Sequence, residues 1–264
     1  MKTVIFTDLD GTFLNHDNYS FAEAEESIEL LKSKKIPIVF TTSKTRVEVE
    51  KLQEKVGITE PFIIENGAAI FFPKNYQNFN LSFLDQLDDY YLYQLGLTYG
   101  KILEFYNKYK KEFGMLGFSE MSIDELIKYT GLDKQSAILS KKRDFTEPFL
   151  IEDDSLIEKL QNIASNYDIK ITKGGRFYHL IGKYQDKGLA VKKAIEIFED
   201  LYGVKIDSIG LGDGQNDIAM FENVKKAVII KNHKNDYVEY FGNNQQKSTY
   251  QGSKGWNEMV LKNV

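Results

Sequence analysis

The sequence Thr3-Val4-Ile5-Phe6-Thr7-Asp8-Leu9-Asp10-Gly11-Thr12 joins a short apolar run directly to two aspartates. The β-branched and aromatic residues from Thr3 to Thr7 are typical of a buried strand in a parallel sheet. Asp8 and Asp10 follow at the carboxyl end of this strand, where open α/β sheets bind their ligands. One carboxylate can attack a substrate while the other handles the proton. The stretch therefore predicts a reactive site at a sheet edge, although a turn rich in Asp and Gly is the simpler alternative.

Strand and helix signals alternate after this stretch. A βαβαβ order predicts a parallel sheet with helices on both faces. The same order returns near the end of the chain, so we predict an α/β fold with a Rossmann-like core. The predicted elements are a helix over 21–34, a strand over Ile36–Thr41, a helix over Thr45–Val56, strands over Phe62–Ile64 and Ala69–Phe72, a helix over 186–202, strands over 206–210 and 227–230, and short helices over 216–222 and after Gly255.

The middle of the chain lacks this rhythm and predicts a second, α+β domain. Residues 83–113 have the composition of a helix, Ser122–Glu125 is a capping box that opens another helix, and a strand pair surrounds Gly174-Gly175. The predicted domains are therefore a discontinuous core of residues 1–82 and 183–264 and an inserted domain of residues 83–182. The Asn- and Gln-rich residues 242–246 predict a loop.

Composition excludes several classes of protein. The 264 residues contain no cysteine, which excludes disulfides and thiolate metal sites. The formal net charge of −5 argues against nucleic-acid binding, which needs a basic excess. There is no apolar run of the roughly 18 residues that a membrane helix requires, and the start lacks a signal-peptide pattern. We therefore expect a cytoplasmic protein without membrane or nucleic-acid partners.

A second acidic cluster, Gly212-Asp213-Gly214-Gln215-Asn216-Asp217, also follows a predicted strand. Carboxylate and amide oxygens at a strand end suit a hard cation such as Mg²⁺, which prefers oxygen ligands. Alternatively, the cluster is an ordinary helix start in which Asp217 stabilises the helix dipole. The occurrence of two such clusters in one chain favours the metal site.

Two further segments contain groups that bind anions. Thr41–Arg46 has hydroxyls and basic side chains at a predicted helix start, which is typical of a phosphate site. The simpler alternative is N-capping of that helix by Ser43. Lys187 stands at the start of the long helix, where a positive charge is unfavourable for the helix dipole, so it needs another reason to be there.

These four segments, in this order, resemble the motifs of the haloacid-dehalogenase (HAD) superfamily of phosphotransferases. The matching residues are Asp8–Thr12, Thr42 or Ser43, Lys187, and Asp213 with Asn216 and Asp217. The resemblance covers essentially the whole chain. It implies a HAD-like Rossmannoid core, and the insertion after the third strand is similar to the α+β C2-type cap of the Cof-like branch.

A closer resemblance is to the mannosyl-3-phosphoglycerate phosphatase subfamily. It rests on the segments Thr42–Glu50, Pro61–Ile70, Arg143–Phe149 and Gly174–His179. General Cof-like sugar phosphatases have Thr-Gly-Arg at the second motif, whereas this chain has Thr-Ser-Lys. The departure leaves open whether Thr42 or Ser43 contacts the phosphate, and the usual motif position favours Thr42.

The superfamily resemblance implies a role for each motif residue. Asp8 would attack phosphorus to form an aspartyl-phosphate, and Asp10 would act as general acid and base. Thr42 and Lys187 would complete an electrostatic clamp around the phosphoryl group. The cofactor implied is Mg²⁺, and the implied metal-site residues are Asp8, Asp10 through its backbone carbonyl, and Asp213, with Asn216 and Asp217 orienting metal-bound water or Lys187.

The resemblance also implies the reaction. We expect a Mg²⁺-dependent phosphatase that converts mannosyl- or glucosyl-3-phosphoglycerate to the glycosyl-glycerate, a compatible solute, and phosphate. The alternatives are a broader sugar-phosphate phosphatase similar to sucrose-phosphate phosphatase and a phosphomutase on the same core. The residues expected to bind substrate are Ser43, Lys44, Asn66, Arg143, Glu147, Arg176 and His179.

Overall fold

A computed structural model describes residues 1–174 and 176–264. The chain divides into two compact units. The first contains Met1–Thr42, Ile58–Tyr93 and Asp186–Val264, and the second contains Ser43–Gly57 and Gln94–Gln185. The predicted boundaries, 1–82 with 183–264 and 83–182, differ from these units at residues 43–57, 83–93 and 183–185. The division into a catalytic core and a substrate-specificity cap stays a prediction.

The strands form where the apolar and β-branched runs of the sequence lie, and they extend to some polar segments as well. Within the described residues they are β1 (Lys2–Thr7), β2 (Ile38–Thr41), β3 (Phe62–Ile64), β4 (Ala69–Pro73), β5 (Asp85–Leu87), β6 (Tyr90–Gln94), β7 (Met115–Gly117), β8 (Glu147–Ile151), β9 (Ile169–Gly174), β10 (Phe177–Gly182), β11 (Ile206–Gly212), β12 (Lys226–Lys231) and β13 (Gln245–Gln251).

The helices have clear start and stop signals. Ser122 and Gly131 cap the fourth helix, as the predicted capping box requires, and Thr45 and Gly57 cap the second. Within the described residues they are α1 (Glu25–Lys34), α2 (Arg46–Val56), α3 (Tyr99–Tyr109), α4 (Ile123–Thr130), α5 (Lys134–Ser140), α6 (Ile157–Ala164), α7 (Lys187–Tyr202), α8 (Ile218–Phe221) and α9 (Gly252–Asn263).

The first unit is built on one large sheet. In the described part of the chain it has nine strands in the order β13-β12-β11-β1-β2-β3-β4-β6-β5. The strands from β13 to β3 pair in parallel, and β4 returns antiparallel to β3. The carboxyl ends of β1, β2, β3 and β11 therefore meet at one edge. The predicted fold class, an α/β chain with a parallel-sheet core, is confirmed.

Helix α7 covers one face of this sheet. Phe71 and Phe72 are neighbours in β4, so their side chains point to opposite faces. Phe72 packs against Phe198 of α7, with ring centroids 5.7 Å apart. Phe71 instead stacks on Phe62 of β3 at 5.2 Å, on the other face.

Helix α9 covers the opposite face. Phe40 pairs in register with Phe62, so it lies on the same face as Phe62. Its ring lies 5.1 Å from Phe13, and Phe13 in turn lies 5.1 Å from Trp256 of α9. Trp256 is fully buried. The expectation of helices on both faces is therefore confirmed.

The second unit has a smaller antiparallel sheet in the order β7-β8-β10-β9. Helices α3 and α6 supply apolar side chains that pack with those of the strands in one core. The predicted turn at Gly174-Gly175 includes Gly175, which lies outside the described residues. The members of this core include Ile102, Phe105, Tyr106, Phe149, Leu160 and Leu180.

The structure corrects three of the predicted elements. The helix predicted over 83–113 is wrong for residues 85–94, which form the β5–β6 hairpin. Tyr90 packs edge-on against Phe62 and Phe71 of the large sheet, and this tertiary contact outweighs the local helical pattern. Residues 245 and 246 of the predicted loop belong to β13, and the last helix begins at Gly252.

No helix within residues 1–174 and 176–264 is long and apolar enough to cross a membrane.

Candidate active site

Asp8 is fixed at the carboxyl end of β1 by its backbone. Its N–H donates to the carbonyl of Leu211 in β11 at 2.9 Å. The hydroxyl of Thr7 donates to the carbonyl of Asp8 at 2.8 Å and accepts from Nε1 of Trp256 at 3.0 Å. These contacts fix the backbone of Asp8 at the edge of the sheet, where the residue is 7% exposed.

Two aspartates from the end of β11 join Asp8. Carboxylate oxygens of Asp8, Asp213 and Asp217 lie within 4.8 Å of one another. Gly11 allows this approach, because a Cβ at its position would lie 2.5 Å from Oδ2 of Asp213. Thr12 orients Asp213 by donating its hydroxyl to Oδ1 at 2.8 Å. The first and last sequence motifs therefore meet, as the shared sheet edge predicts.

Lys187, the first residue of α7, lies between two of these carboxylates. Its Nζ donates to Oδ1 of Asp8 at 2.9 Å and to Oδ1 of Asp217 at 2.7 Å. The other oxygen of Asp217 accepts from the backbone N–H groups of Asp213 and Gly214. Because Asp217 is held by the backbone, it fixes the lysine beside Asp8. This contact explains a positive charge at the start of a helix.

Burial and neighbouring charges shift the pKa values of the residues in this cluster. The pKa of Asp8 is raised to about 8, mainly because the group is buried; the charge of Lys187 lowers it, and the charges of Asp217, Asp213 and Asp10 raise it. Burial, with the charge of Asp217, raises the pKa of Asp213 to about 7. Burial alone would lower the pKa of Lys187, but the charges of Asp217 and Asp8 outweigh it, and the pKa is raised.

The donor set fits a divalent metal ion. With all three carboxylates ionised beside one ammonium group, the buried site would carry an excess of two negative charges, and the raised pKa values of Asp8 and Asp213 reflect the cost of that excess. A hard divalent cation bound by carboxylate oxygens would neutralise this excess. Asp8, Asp213 and Asp217 are therefore the residues that could hold a metal ion.

The remaining two predicted metal residues differ in their placement. Asp10 is half-buried, and its charge raises the pKa of both Asp8 and Asp213, so its carboxylate belongs to the same electrostatic site. Asn216 is exposed in the turn that precedes Asp217. Roles for Asp10 and Asn216 at a metal ion stay predictions.

Thr42 follows β2 at the same sheet edge and is 1% exposed. Its N–H donates to the carbonyl of Ile63 at 3.0 Å, and its carbonyl accepts from the N–H of Asn66 at 2.9 Å. Asn66 is therefore part of the first unit, next to Thr42. The buried Oδ1 of Asn66 has no hydrogen-bond partner among the described residues.

Ser43 and Lys44 belong to the second unit, where they precede α2. The residue that caps this helix is Thr45, in a reciprocal capping box with Glu48, so the alternative that Ser43 is the N-cap is wrong. Lys44 lies 3.9 Å from Glu48. The carbonyl of Ser43 accepts a hydrogen bond from Nη2 of Arg143 at 2.9 Å.

Arg143 is buried, with 8% of its surface exposed. Besides Ser43, it donates from Nε to the hydroxyl of Thr146 at 2.9 Å and from Nη1 to the carbonyl of Ser140 at 3.4 Å. The guanidinium therefore ties the loop after α5 to the start of α2. In contrast, Arg176 is exposed and donates to the carbonyl of Tyr129.

Glu147 and His179 lie inside the second unit near Arg143. Glu147 is fully buried; Oε1 accepts from the N–H and hydroxyl of Ser119, and Oε2 accepts from the hydroxyl of Tyr99. Burial, together with the charge of Arg143, lowers the pKa of His179 to about 3, so the imidazole is neutral. Its Nδ1 is buried without a partner among the described residues. The roles of these residues in substrate binding stay predictions.

Sequence reasoning assigned no role to two residues that organise the site. Thr12 holds Asp213, and Trp256 supports Asp8 through Thr7. Thr12 follows Asp10 and Gly11 in the first motif, so its position there was a usable signal. The sequence contained no such signal for Trp256, because a single tryptophan far along the chain indicates only a buried core position.

Comparisons with known proteins agree with this geometry. The family model described as haloacid dehalogenase-like hydrolase matches residues 5–240. The chain is 49% identical to glucosyl-3-phosphoglycerate/mannosyl-3-phosphoglycerate phosphatase from Persephonella marina, over 97% of this chain and 95% of the relative. It is 34% identical to mannosyl-3-phosphoglycerate phosphatase from Pyrococcus furiosus, over 90% of this chain and 95% of that protein.

Solved structures share the fold at lower sequence identity. A crystal structure of a Thermoplasma acidophilum protein matches with a TM-score of 0.71 and 19% identity, over 99% of this chain and 98% of that one. The sucrose-phosphatase from Synechocystis matches with a TM-score of 0.62 and 14% identity, over 99% and 98% of the two chains. The family model, the relatives that align over most of their length and the four motifs all agree. This chain therefore belongs to the haloacid dehalogenase-like hydrolases.

Proposed function

We propose that this chain is a Mg²⁺-dependent phosphatase that releases phosphate from mannosyl-3-phosphoglycerate or glucosyl-3-phosphoglycerate. The observation that carries the proposal is the buried contact of Lys187 with Asp8 inside a carboxylate cluster, in a chain 49% identical to an enzyme named for both substrates. The reaction class is phosphoric monoester hydrolysis. The substrate is a small phosphorylated molecule, and its glycosyl-phosphoglycerate identity is the finer part of the proposal.

Asp8 is the nucleophile in this proposal. One of its carboxylate oxygens forms a bond to phosphorus as the bond from phosphorus to the glycerate oxygen breaks. Asp10 gives its proton to that departing oxygen. A water molecule then attacks the aspartyl-phosphate and loses its proton to Asp10. The bond between phosphorus and Asp8 breaks, which returns both aspartates to their starting states.

Lys187 and Thr42 stabilise the charge of the phosphoryl group. The ammonium of Lys187 lies 2.9 Å from Asp8, so it also reaches the position of a group bonded to that carboxylate. It favours the ionised form of Asp8 and attracts the phosphoryl oxygens. Electrostatic stabilisation of this kind supplies most of the catalysis of phosphoryl transfer. Asp217 acts through Lys187 and is a positioning residue, because its two oxygens hold the ammonium and two backbone N–H groups.

The metal site consists of Asp8, the Asp10 carbonyl and Asp213 in this proposal, with Asp217 and Asn216 behind them. When bound there, Mg²⁺ supplies positive charge that neutralises the carboxylates and the phosphoryl oxygens. Ser43, Lys44, Asn66, Arg143, Glu147, Arg176 and His179 remain the residues predicted to bind the rest of the substrate.

The test is phosphate release from a substrate panel. We would compare both glycosyl-3-phosphoglycerates with 3-phosphoglycerate, mannose 6-phosphate and sucrose 6-phosphate, each in MgCl₂ and in EDTA. We expect kcat/KM for the glycosyl-3-phosphoglycerates to exceed the others by about 100-fold, and EDTA to abolish turnover.

Two outcomes would contradict the proposal. Equal or faster turnover of the hexose phosphates would indicate a broader sugar phosphatase. Isomerised sugar phosphate without free phosphate would indicate a phosphomutase. The Asp8→Asn variant, assayed in parallel, excludes a contaminating phosphatase as the source of any phosphate.

A further inference from the structure

The turn after β3 contains three consecutive residues in the left-handed backbone region. Glu65, Asn66 and Gly67 have φ values of 47°, 59° and 87°. This region costs a residue with a side chain roughly 1–2 kcal/mol, and Asn tolerates it better than most residues. Glu65 is also fully buried. Such strain persists only where the surroundings hold the backbone firmly, and it is frequent at functional sites.

One end of this turn is bonded to the second motif. The N–H of Asn66 donates to the carbonyl of Thr42 at 2.9 Å, and the N–H of Thr42 donates to the carbonyl of Ile63 at 3.0 Å. Thr42 is therefore held on both sides by the chain around the end of β3. A change in the backbone at Asn66 would move Thr42 directly.

The other end of the turn packs against the third motif. A Cβ on Gly67 would lie 2.2 Å from the carbonyl oxygen of Asp186 and 2.7 Å from the nitrogen of Lys187. The peptide that begins α7 therefore touches the backbone of the turn. Gly188, the next residue, approaches the carbonyl of Ala219 in α8 just as closely, so the start of α7 is fixed from two sides.

We propose that the turn Glu65–Gly67 is a positioning element that sets the distance between Thr42 and Lys187. It does so through its backbone, which is hydrogen-bonded to Thr42 at Asn66 and packs closely against the start of α7 at Gly67. Thr42 follows the strand next to β1, and Lys187 contacts Asp8, so a small shift of the turn would change how the two residues fit a phosphoryl group on Asp8. The inference rests on the proposed function only in that Thr42 and Lys187 hold a phosphoryl group.

The first test compares Gly67→Ala with Gly203→Ala. Gly203 ends the same helix, α7, and also has a positive φ of 65°, but a Cβ there meets nothing within 4 Å. Both variants carry backbone strain, and only Gly67→Ala pushes against Lys187. With p-nitrophenyl phosphate in MgCl₂, we expect Gly67→Ala to lower kcat at least about 30-fold, with KM changed less than about 3-fold. Gly203→Ala should retain the wild-type kcat.

The second test separates backbone from side chain and remains informative if Gly67→Ala does not fold. Asn66→Gly and Asn66→Ala both remove the carboxamide, but only glycine adopts the left-handed region without cost. We expect kcat of Asn66→Ala to be about 5- to 10-fold below that of Asn66→Gly. The inhibition constant of inorganic phosphate should likewise be higher for Asn66→Ala than for Asn66→Gly.

Two results would overturn the inference. One is a folded Gly67→Ala variant with the kcat of Gly203→Ala. The other is an equal loss in both Asn66 variants, which would mean that the Asn66 side chain alone matters. Because p-nitrophenyl phosphate and inorganic phosphate lack the sugar, both comparisons hold even if the glycosyl-3-phosphoglycerates are not the substrates.

Discussion

Nζ of Lys187 lies 2.9 Å from Oδ1 of Asp8, and the lysine is 3% exposed. The same ammonium lies 2.7 Å from Asp217, so one buried cation serves two carboxylates. In a site without water screening, this arrangement governs both the ionisation of the nucleophile and the stability of the fold. Changes at Lys187 and at Asp8 should therefore have different effects on activity and on stability.

Asp8→Asn should abolish turnover without destabilising the protein. Asparagine keeps the size of the side chain and an oxygen for Lys187, but it cannot form the aspartyl-phosphate. It also removes a carboxyl group whose ionised form is unfavourable in this buried site, as the raised pKa of about 8 indicates, so the melting temperature should be unchanged or higher. We expect phosphate release to fall at least about 1,000-fold.

The matched control is Asp207→Asn. Asp207 lies near the start of β11 and pairs with Lys226 at 3.3 Å, away from the carboxyl edge of the sheet. This change should leave turnover within about twofold of wild type. Residual activity of Asp8→Asn within tenfold of wild type would refute Asp8 as the nucleophile.

Lys187→Met should remove activity and stability together. Methionine fills a similar volume but leaves Asp8, Asp213 and Asp217 without the cation that balances them. Breaking a buried ion pair costs about 3–5 kcal/mol, so urea unfolding in EDTA should shift by an amount of this order. Addition of MgCl₂ should recover part of the lost free energy of unfolding, because a bound divalent cation would neutralise the same carboxylates.

Lys193→Met is the control on the same helix. Lys193 is about one-third exposed and pairs with Glu196 at 3.2 Å, so its loss should cost under about 0.5 kcal/mol. If Lys187→Met unfolds in EDTA at the urea concentration of wild type, Lys187 is not the group that balances the cluster.

The sequence predicted those parts of the fold that depend on local patterns. Strands β1 and β3 are apolar runs, and helix α2 has a capping box at one end and Gly57 at the other, so each carries its own signal. Strand β13 is different, because most of its residues are polar and exposed. It becomes a strand through its hydrogen bonds with β12, and no periodicity in its own residues indicates that pairing.

The same distinction applies to the candidate site. Asp8 stands directly after one predicted strand and Asp213 shortly after another, so their convergence follows from the shared edge of a parallel sheet. The contact of Gly67 with the start of α7 could not be predicted, because it depends on how closely two backbones approach. Arg143 matched a substrate-binding pattern in sequence, but its burial and its three partners became visible only in the structure.

Glu60 should make stability fall as pH rises. Its Oε2 accepts from the hydroxyl of Tyr76 at 2.7 Å, and burial raises the pKa of Glu60 from 4.5 to about 7. Between these values the folded chain keeps the proton while the unfolded chain releases it, so the free energy of unfolding decreases with pH. Glu60→Gln should remove up to about 3 kcal/mol of that decrease, measured by urea unfolding from pH 4.5 to 8.

The control for this experiment is Glu54→Gln, which changes an exposed carboxylate on α2. Its pH profile should run parallel to that of wild type. A profile of Glu60→Gln that also runs parallel to wild type would mean that Glu60 titrates at the same pH in the folded and unfolded chains.

Arg143 and Arg176 both carry the charge expected of substrate-binding residues, but they differ in what they already hold. Arg143 is buried and donates to Thr146, Ser140 and Ser43. Arg176 is exposed and donates to one backbone carbonyl. The first has few donors left for a ligand, whereas the second has most of its guanidinium available.

Replacement by lysine should therefore affect stability at Arg143 and substrate affinity at Arg176. Lysine cannot reach the three partners of Arg143 at once, so Arg143→Lys should lower the free energy of unfolding by about 1–3 kcal/mol. Arg176→Lys should leave unfolding unchanged and raise KM for glycosyl-3-phosphoglycerates about 10-fold, with KM for p-nitrophenyl phosphate unaffected. Urea unfolding and steady-state kinetics of both variants measure this. Unchanged unfolding of Arg143→Lys would mean that the hydrogen bonds of this buried guanidinium contribute little to stability.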